Sequence, residues 1–299
     1  MADSTTITKN AKSNLAFTLI DMPEGKRQRM AQFYAFCRLV DDIVDEPGMT
    51  AEQRHTALDR WLGVIDGSLV PTEGIEAEVV DLIHSMKMEL EPMQILIEGC
   101  RGDIAPTQPE TREELLAYAY KVASCVGISS AAVMGASPAA RDYAVALGYA
   151  LQMVNIIRDV AEDCRKYDRF YLPKADMELF GVSKEDIREG RYGYRIRQLL
   201  AYEAALAEKF FAEAEEYYDL LSKDDRAALV PAQAMSLIYH TILMKMHDDE
   251  YRVFEHRYRV NNFKKLWFVV RARVGKIKLA SLIKQVEWDF FKNNTEPKS

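Results

Sequence analysis

Tyr34-Ala35-Phe36-Cys37-Arg38-Leu39-Val40-Asp41-Asp42-Ile43-Val44-Asp45-Glu46 is the stretch from which the rest of the chain is best read. On a helix, residues three and four apart share a face. Tyr34, Arg38, Asp41 and Asp45 follow each other at spacings of 4, 3 and 4. They predict one stripe that carries a phenol, a guanidinium and two carboxylates. Phe33, Phe36, Val40 and Ile43 fall largely on other faces and are free to pack.

A second stretch repeats the pattern: Gln152-Met153-Val154-Asn155-Ile156-Ile157-Arg158-Asp159-Val160-Ala161-Glu162-Asp163. Gln152, Asn155, Asp159 and Asp163 lie 3, 4 and 4 apart, and their neighbours are apolar. This predicts a largely buried helix with a polar row through its middle. Burying an unpaired charge costs several kcal/mol per ion, on the order of the desolvation penalty. Carboxylates at i and i+4 also repel one another. Two such rows call for a cation. Carboxylate and amide oxygens are hard ligands suited to Mg²⁺, which keeps waters and bridges to substrate phosphates. Neither row contains His, which disfavours zinc. The predicted arrangement is two facing helices flanking a cavity that holds Mg²⁺ and a diphosphate. The plainer alternatives are a solvated acidic helix end at 41–46, surface ion pairs of Asp159, Glu162 and Asp163 with Arg158, Arg165 and Lys166, and satisfied core amides at Gln152 and Asn155.

Around these rows the chain is long and helix-prone. Its 299 residues are 48% hydrophobic and 28% charged, enough for a large core and too apolar for disorder. A net charge of −7 argues against a nucleic-acid partner. No apolar run approaches the ~20 residues of a membrane span. Cys37, Cys100, Cys125 and Cys164 are scattered, form no C-x-x-C pair, and read as reduced thiols. The N-terminus shows no signal or transit pattern, so the expected location is cytoplasmic. Gly and Pro are sparse, and stretches rich in Ala, Leu, Glu, Lys and Met predict helices at about 24–45, 50–67, 75–99, 111–136, 139–165, 194–221, 225–256 and 263–291. Residues 166–193 are expected to be irregular, with short helices at 175–180 and 183–189. The fold class is all-α, with residues 1–299 as a single domain and residues 1–11 expected to be flexible.

Charge is uneven. Residues 256–286 hold nine Lys or Arg and no Asp or Glu, which leaves 30 basic against 46 acidic residues elsewhere. Such a segment is either a solvated helix face or one attracted to an anionic membrane or a phosphorylated substrate.

The two rows carry a resemblance to the squalene/phytoene synthase family, the head-to-head prenyl synthases. The family's first motif resembles Tyr-Ala-x-Cys-Arg-x-x-Asp-Asp-x-x-Asp, met at 34–45. Its second resembles Gln-x-x-Asn-Ile-x-Arg-Asp-x-x-Glu-Asp, met at 152–163. Arg169, Tyr171, Leu172 and Pro173 match a following Arg and Tyr-Leu-Pro. Tyr118, Val122, Ala123, Val126 and Gly127 match a stretch between the motifs. The resemblance runs from about Lys12 to Lys265.

The resemblance implies an isoprenoid-synthase helical bundle around a deep central cavity. It implies that Asp41, Asp45, Asp159 and Asp163 hold Mg²⁺, with Asn155 alongside. Tyr34, Arg38, Gln152 and Arg158 then contact diphosphate or order the acidic rows, and Tyr118, Val122, Ala123 and Gly127 line the cavity. Tyr239 and Arg257 resemble late diphosphate-side residues, Lys264 or Lys265 a late basic position, and Ser13 a substrate-contacting serine. In the family, one allylic diphosphate ionises and the double bond of the other attacks the cation. Proton loss then gives a cyclopropyl diphosphate. A second ionisation ends with hydride from NADPH, giving squalene, or with proton loss, giving phytoene or dehydrosqualene. Val154, Ser124, Cys125 and His240 depart from frequent family residues beside the motifs, which leaves product and chain length open. The leading expectation is condensation of two C15 farnesyl diphosphates to presqualene diphosphate or squalene, with NADPH use open. The alternatives are a phytoene synthase using two C20 geranylgeranyl diphosphates and a catalytically silent prenyl-diphosphate-binding partner. The lipid-like substrates also suggest peripheral contact of the basic C-terminal segment with the inner face of a membrane. Oligomeric state is not readable from the sequence.

Overall fold

The computed structural model describes residues 19 and 22–274. Ser13, the 1–11 segment and the 275–286 part of the basic segment lie outside these described residues. Among the described residues every regular element is helical. Helix α1 spans Glu24–Asp45. Helices α2 (Ala51–Asp66), α3 (Ile75–Met86) and α4 (Leu90–Gly102) follow. Next come α5 (Arg112–Ala119), a π-turn at Tyr120–Ser124 and α6 (Cys125–Met134). The long α7 (Arg141–Tyr167) leads through short α8 (Lys174–Leu179) and α9 (Lys184–Glu189) to α10 (Tyr194–Leu220). The last helices are α11 (Lys223–Ala228), α12 (Val230–Asp248) and α13 (Asn262–Val274).

Local sequence explains where these helices start and stop. Pro23 precedes α1 with an extended backbone that no helix can continue backwards. Thr50 and Gln53 form a reciprocal capping box at the start of α2, and Gly67 ends that helix in the left-handed conformation. Ser183 and Asp186 repeat the box at α9.

Two of the expected helices are broken and a third is irregular. The 75–99 segment divides because Lys87 turns left-handed at φ 50, with Met88 N–H bonding back to the Ile83 carbonyl at 3.0 Å. The 111–136 segment is continuous but carries the π-turn, an extra residue in the helical ladder. The 225–256 segment splits at Leu229, before Pro231 in the first turn of α12. It ends early because Glu250 and Tyr251 adopt φ 54 and 60.

One hydrophobic core runs from Leu19 to Phe268. Helices α7 and α10 form its most extensive pairing, and α7 also packs on the π-turn, α6 and α12. Helix α1 packs mainly on α3 and α6 and has no extended contact with α7. The two acid-bearing helices are thus held side by side with a space between them. Arg112–Met134 and Pro138–Tyr167 are long and apolar enough to cross a bilayer by length and composition; both pack on neighbouring helices of this bundle, and the second is mostly buried in it. Close approach of α7 to the π-turn depends on glycine. A Cβ at Gly148 would lie 2.5 Å from Ser124 Cα and 2.8 Å from its nitrogen.

Candidate active site

The space between α1 and α7 holds two connected chambers. The outer one, of about 560 Å³, is lined by Arg38, Asp41, Asp45, Asp103, Tyr118, Arg158, Asp159, Glu162, Asp163, Arg169, Tyr171 and Arg257. The inner one, of about 310 Å³, is apolar, with Met30, Phe33, Val122, Ala123, Gly127, Met134, Leu147, Ala232 and Met235 among its walls. Tyr34, Cys37, Val122, Val126, Gln152, Asn155 and Tyr239 border both chambers and form the waist between them. The facing polar rows predicted from helical spacing are therefore brought together, and the amides sit where polar mouth meets apolar interior.

The charges in the mouth are interlocked. Arg158 donates to both oxygens of Asp159, at 2.8 and 2.5 Å. Arg257 crosses to the same carboxylate at 2.9 Å and to Glu162 at 3.0 Å. Arg38 pairs with Asp41 at 3.2 Å and with Asp42 at 2.5 Å. Both oxygens of Asp159 are engaged by arginines, whereas Asp41 pairs through one oxygen, and the cleft is left partly compensated.

Burial and mutual repulsion act on the rest. Asp41 is pushed up to about 6, first by burial and then by the Asp45 charge, against the pull of Arg38. Asp163 is pushed up to about 7 by burial and by Asp159 and Glu162. The carbonyl oxygen of the Asn155 side chain is buried and accepts no hydrogen bond. An orphaned acceptor beside carboxylates that resist ionising is a donor set that a cation would satisfy. The all-oxygen donor set fits a hard divalent metal. Among the described residues no group of three or more His, Cys, Asp or Glu converges on one point. A metal here needs further oxygens from water or ligand, as Mg²⁺ at phosphate sites does.

Some of the mouth was not foreseen. Asp103, at the C-terminal end of α4, accepts from Tyr118 at 2.9 Å and from Tyr171 at 3.4 Å. Those two rings stack at 5.0 Å. Arg169 donates to Asp45 at 2.7 Å and to the Asp103 backbone carbonyl at 3.2 Å. It is placed there by the end of α7: Asp168 turns left-handed at φ 52 and Arg169 N–H bonds back to the Asp163 carbonyl at 3.1 Å. From there the chain is extended. Phe170 and Leu172 are buried in the core while Arg169 and Tyr171 face the cleft. The Arg and Tyr-Leu-Pro match singles out Arg169 and Tyr171 without giving them a role. Asp103 offers no such signal, because its partners come from other elements.

The other expected residues fall as follows. Gly127 lines the inner chamber, and its missing Cβ also lets Ala144 O approach, at 2.7 Å from where a Cβ would be. Tyr239 borders both chambers with the Arg158 guanidinium 6.0 Å from its ring centroid. Neither Lys264 nor Lys265 lines either chamber; Lys264 is exposed and Lys265 is buried elsewhere. All four cysteines are unpaired, and burial pushes the Cys37 thiol far above the ordinary thiol range.

This architecture defines a helical prenyl-transfer enzyme with an acidic mouth over an apolar chamber. The squalene/phytoene synthase family profile matches residues 8–264, and the chain belongs to that family. It is a prenyltransferase of the squalene/phytoene synthase type. Phytoene synthase of Arthrospira platensis is 34% identical over 273 residues, covering 85% of this chain and 87% of that protein. Phytoene synthase 3, chloroplastic, of Zea mays is 32% identical over 286 residues, covering 93% of this chain and 66% of that longer protein. Among solved structures, a dehydrosqualene synthase in complex with ligand aligns with TM-score 0.78 at 28% identity, over 93% of this chain and 95% of that one.

Proposed function

We propose that this chain joins two C20 geranylgeranyl diphosphates head to head to form phytoene. The observation that carries the class of reaction is the cavity, with its arginine- and carboxylate-lined mouth opening through a narrow waist into an apolar chamber. The relatives at 34% and 32% identity, both phytoene synthases, favour C20 over the C15 substrate expected from sequence. Phytoene forms by proton loss, so this reading uses no NADPH.

Asp41, Asp45, Asp159, Asp163 and Asn155 are the residues that would hold Mg²⁺. Bound there, the metal would neutralise charge on the departing diphosphate. Arg38, Arg158, Arg169 and Arg257 surround the same volume and would share that task, because fixed cations in a water-poor site stabilise developing negative charge strongly. Gln152 and Tyr34, at the waist, would orient the allylic carbon toward the inner chamber. The apolar walls keep water from the carbocation while the double bond of the second substrate attacks. Tyr118 would line the path of the reacting carbons, held in place by Asp103.

The test is product analysis of the purified protein with Mg²⁺, offering farnesyl and geranylgeranyl diphosphate separately, each with and without NADPH. A C40 hydrocarbon from the C20 substrate, independent of NADPH, is expected. A C30 product from farnesyl diphosphate alone would restore the C15 reading. No product from either would mark a silent prenyl-diphosphate-binding partner.

A further inference from the structure

Helix α13 is apolar on two opposite faces, and only one of them is used by the bundle. Its inward face sets Lys265, Phe268 and Val269 against the body of the protein, mainly α12. On the outer side Phe263 is 89% exposed, Val270 54% and Val274 53%, and Leu266 and Trp267 are 47% each. At 3.6 residues per turn these five side chains fall within an arc of about 100°, directly opposite the buried face. Lys264 and Arg271 border the arc on one side and Arg273 on the other. The Arg271 guanidinium lies 5.0 Å from the Trp267 ring centroid.

We propose that this outer face of α13 is a membrane-docking surface, lying in the interface of an anionic bilayer. An apolar stripe flanked by cations, with an indole among the apolar groups, is the pattern of a helix that rests in the headgroup region. Charge complementarity selects the bilayer over a second copy of this chain. Residues 256–286 hold nine Lys or Arg and no Asp or Glu, and seven of the nine remain after Arg257, which pairs in the cleft, and the inward Lys265, whereas the rest of the molecule is strongly acidic. A copy's acidic body would meet the cations, but the matching apolar stripe that a copy offers is its own α13, whose flanking Lys and Arg would be brought against these. An anionic lipid surface offers the negative charge and the apolar partner together.

The placement also suits the chamber. Helix α13 packs on α12, whose Ala232, Met235 and Tyr239 line the inner cavity. Arg273 shares a crevice with Val230, Pro231 and Met134, and Met134 is also a wall of the inner chamber. The bilayer would therefore be separated from the apolar cavity by two helices, α13 and α12, whose axes lie about 8–10 Å apart. The inference does not depend on which prenyl chain is used, so vesicle binding and product identity fail independently.

The test is flotation of the full chain with phosphatidylcholine vesicles, with and without phosphatidylglycerol, at low and raised salt. The wild type is expected to float with the anionic vesicles and to lose binding as salt rises. A Phe263→Ser, Trp267→Ser, Val270→Ser variant is expected to bind about tenfold more weakly or worse, with an unchanged thermal midpoint because these positions are exposed. Should that variant lose stability, Lys264→Ala with Arg273→Ala, both exposed, is the second probe and is expected to lose the anionic preference. A wild type that stays unbound with both vesicles overturns the proposal. So does a serine variant that floats like the wild type, or a wild-type dimer that the serine variant renders monomeric.

Discussion

Asp41 and Asp163 carry a charge that their surroundings disfavour, and that cost is the residue-scale signature of the site. A carboxyl whose folded value is raised to about 6 or 7 binds protons more readily in the folded than in the unfolded state. Its contribution to stability therefore declines as pH rises from the ordinary carboxylate range through that value. Relieving the charge should help the metal-free fold: Asp41→Asn is expected to raise stability at pH 8 by about 1–3 kcal/mol, with the gain vanishing near pH 4. Denaturant titrations at both pH values check this. The same change, and Asp41→Ala or Asp159→Ala, should reduce turnover by at least about a thousandfold, the scale of an electrostatic stabiliser lost from a reaction centre. Rates near wild type in either alanine variant would refute the assignment. Asp103 lines the mouth and there holds Tyr118, Tyr171 and, through its carbonyl, Arg169. Asp103→Asn is expected to cost about tenfold to a hundredfold in kcat, as supporting groups around metal sites do. Its melting point should stay close to that of the wild type. The two rows were legible because helical spacing is local. Asp103 was not, since its meaning arises only when α4, α5 and the 169–171 run meet.

At the scale of elements, long regular helices were read almost to the residue, and the misreadings lie where backbone conformation changes without a strong breaker. Helix α1 matches its expected span, and α10 ends one residue early. Lys87, Glu250 and Tyr251 adopt left-handed conformations that their side chains do not advertise. The π-turn is invisible to periodicity because it shifts the helix by one residue while its flanks remain helical. It nonetheless places Val122 and Ala123 in the cavity wall, and Gly148 on α7 is what lets it sit there. Gly148→Ala would drive a methyl against the Ser124 backbone, which cannot swing aside as a side chain could. The expected cost is about 1–3 kcal/mol of overpacking strain, read as a lower melting temperature. Activity should fall more than stability alone explains, because the cavity wall is what moves. A variant of unchanged stability would show that α7 and the π-turn have slack at this contact.

For the whole molecule, the chain encloses an acidic cleft in its own core and tolerates the cost. Glu203, which lines neither chamber, adds to that cost. It is fully buried between Arg112 and Asp176, neither of its oxygens is satisfied, and burial holds its carboxyl well above the ordinary glutamate range. The free protein should therefore become less stable as pH rises from about 5 to 8. Ligand should reverse the part due to the cleft. Because no group of three or more His, Cys, Asp or Glu among the described residues converges on one point, Mg²⁺ alone has an incomplete set of oxygens. Diphosphate alone would face acidic rows that the arginines of the mouth compensate only in part. Each alone is expected to shift the melting temperature little. Together they should shift it by several degrees, since a ligand at a hundred times its Kd adds about 2.7 kcal/mol. For a chain of this size each kcal/mol is worth roughly 2–4 °C or somewhat less. Thermal shift with Mg²⁺, inorganic diphosphate and both, at pH 6 and pH 8, reads this directly. The combined shift should be larger at pH 8, where Asp41 and Asp163 are ionised and most in need of a cation. A full shift with Mg²⁺ alone would mean that the protein completes the metal site by itself, and equal shifts at both pH values would mean that these two carboxyls do not bear on binding.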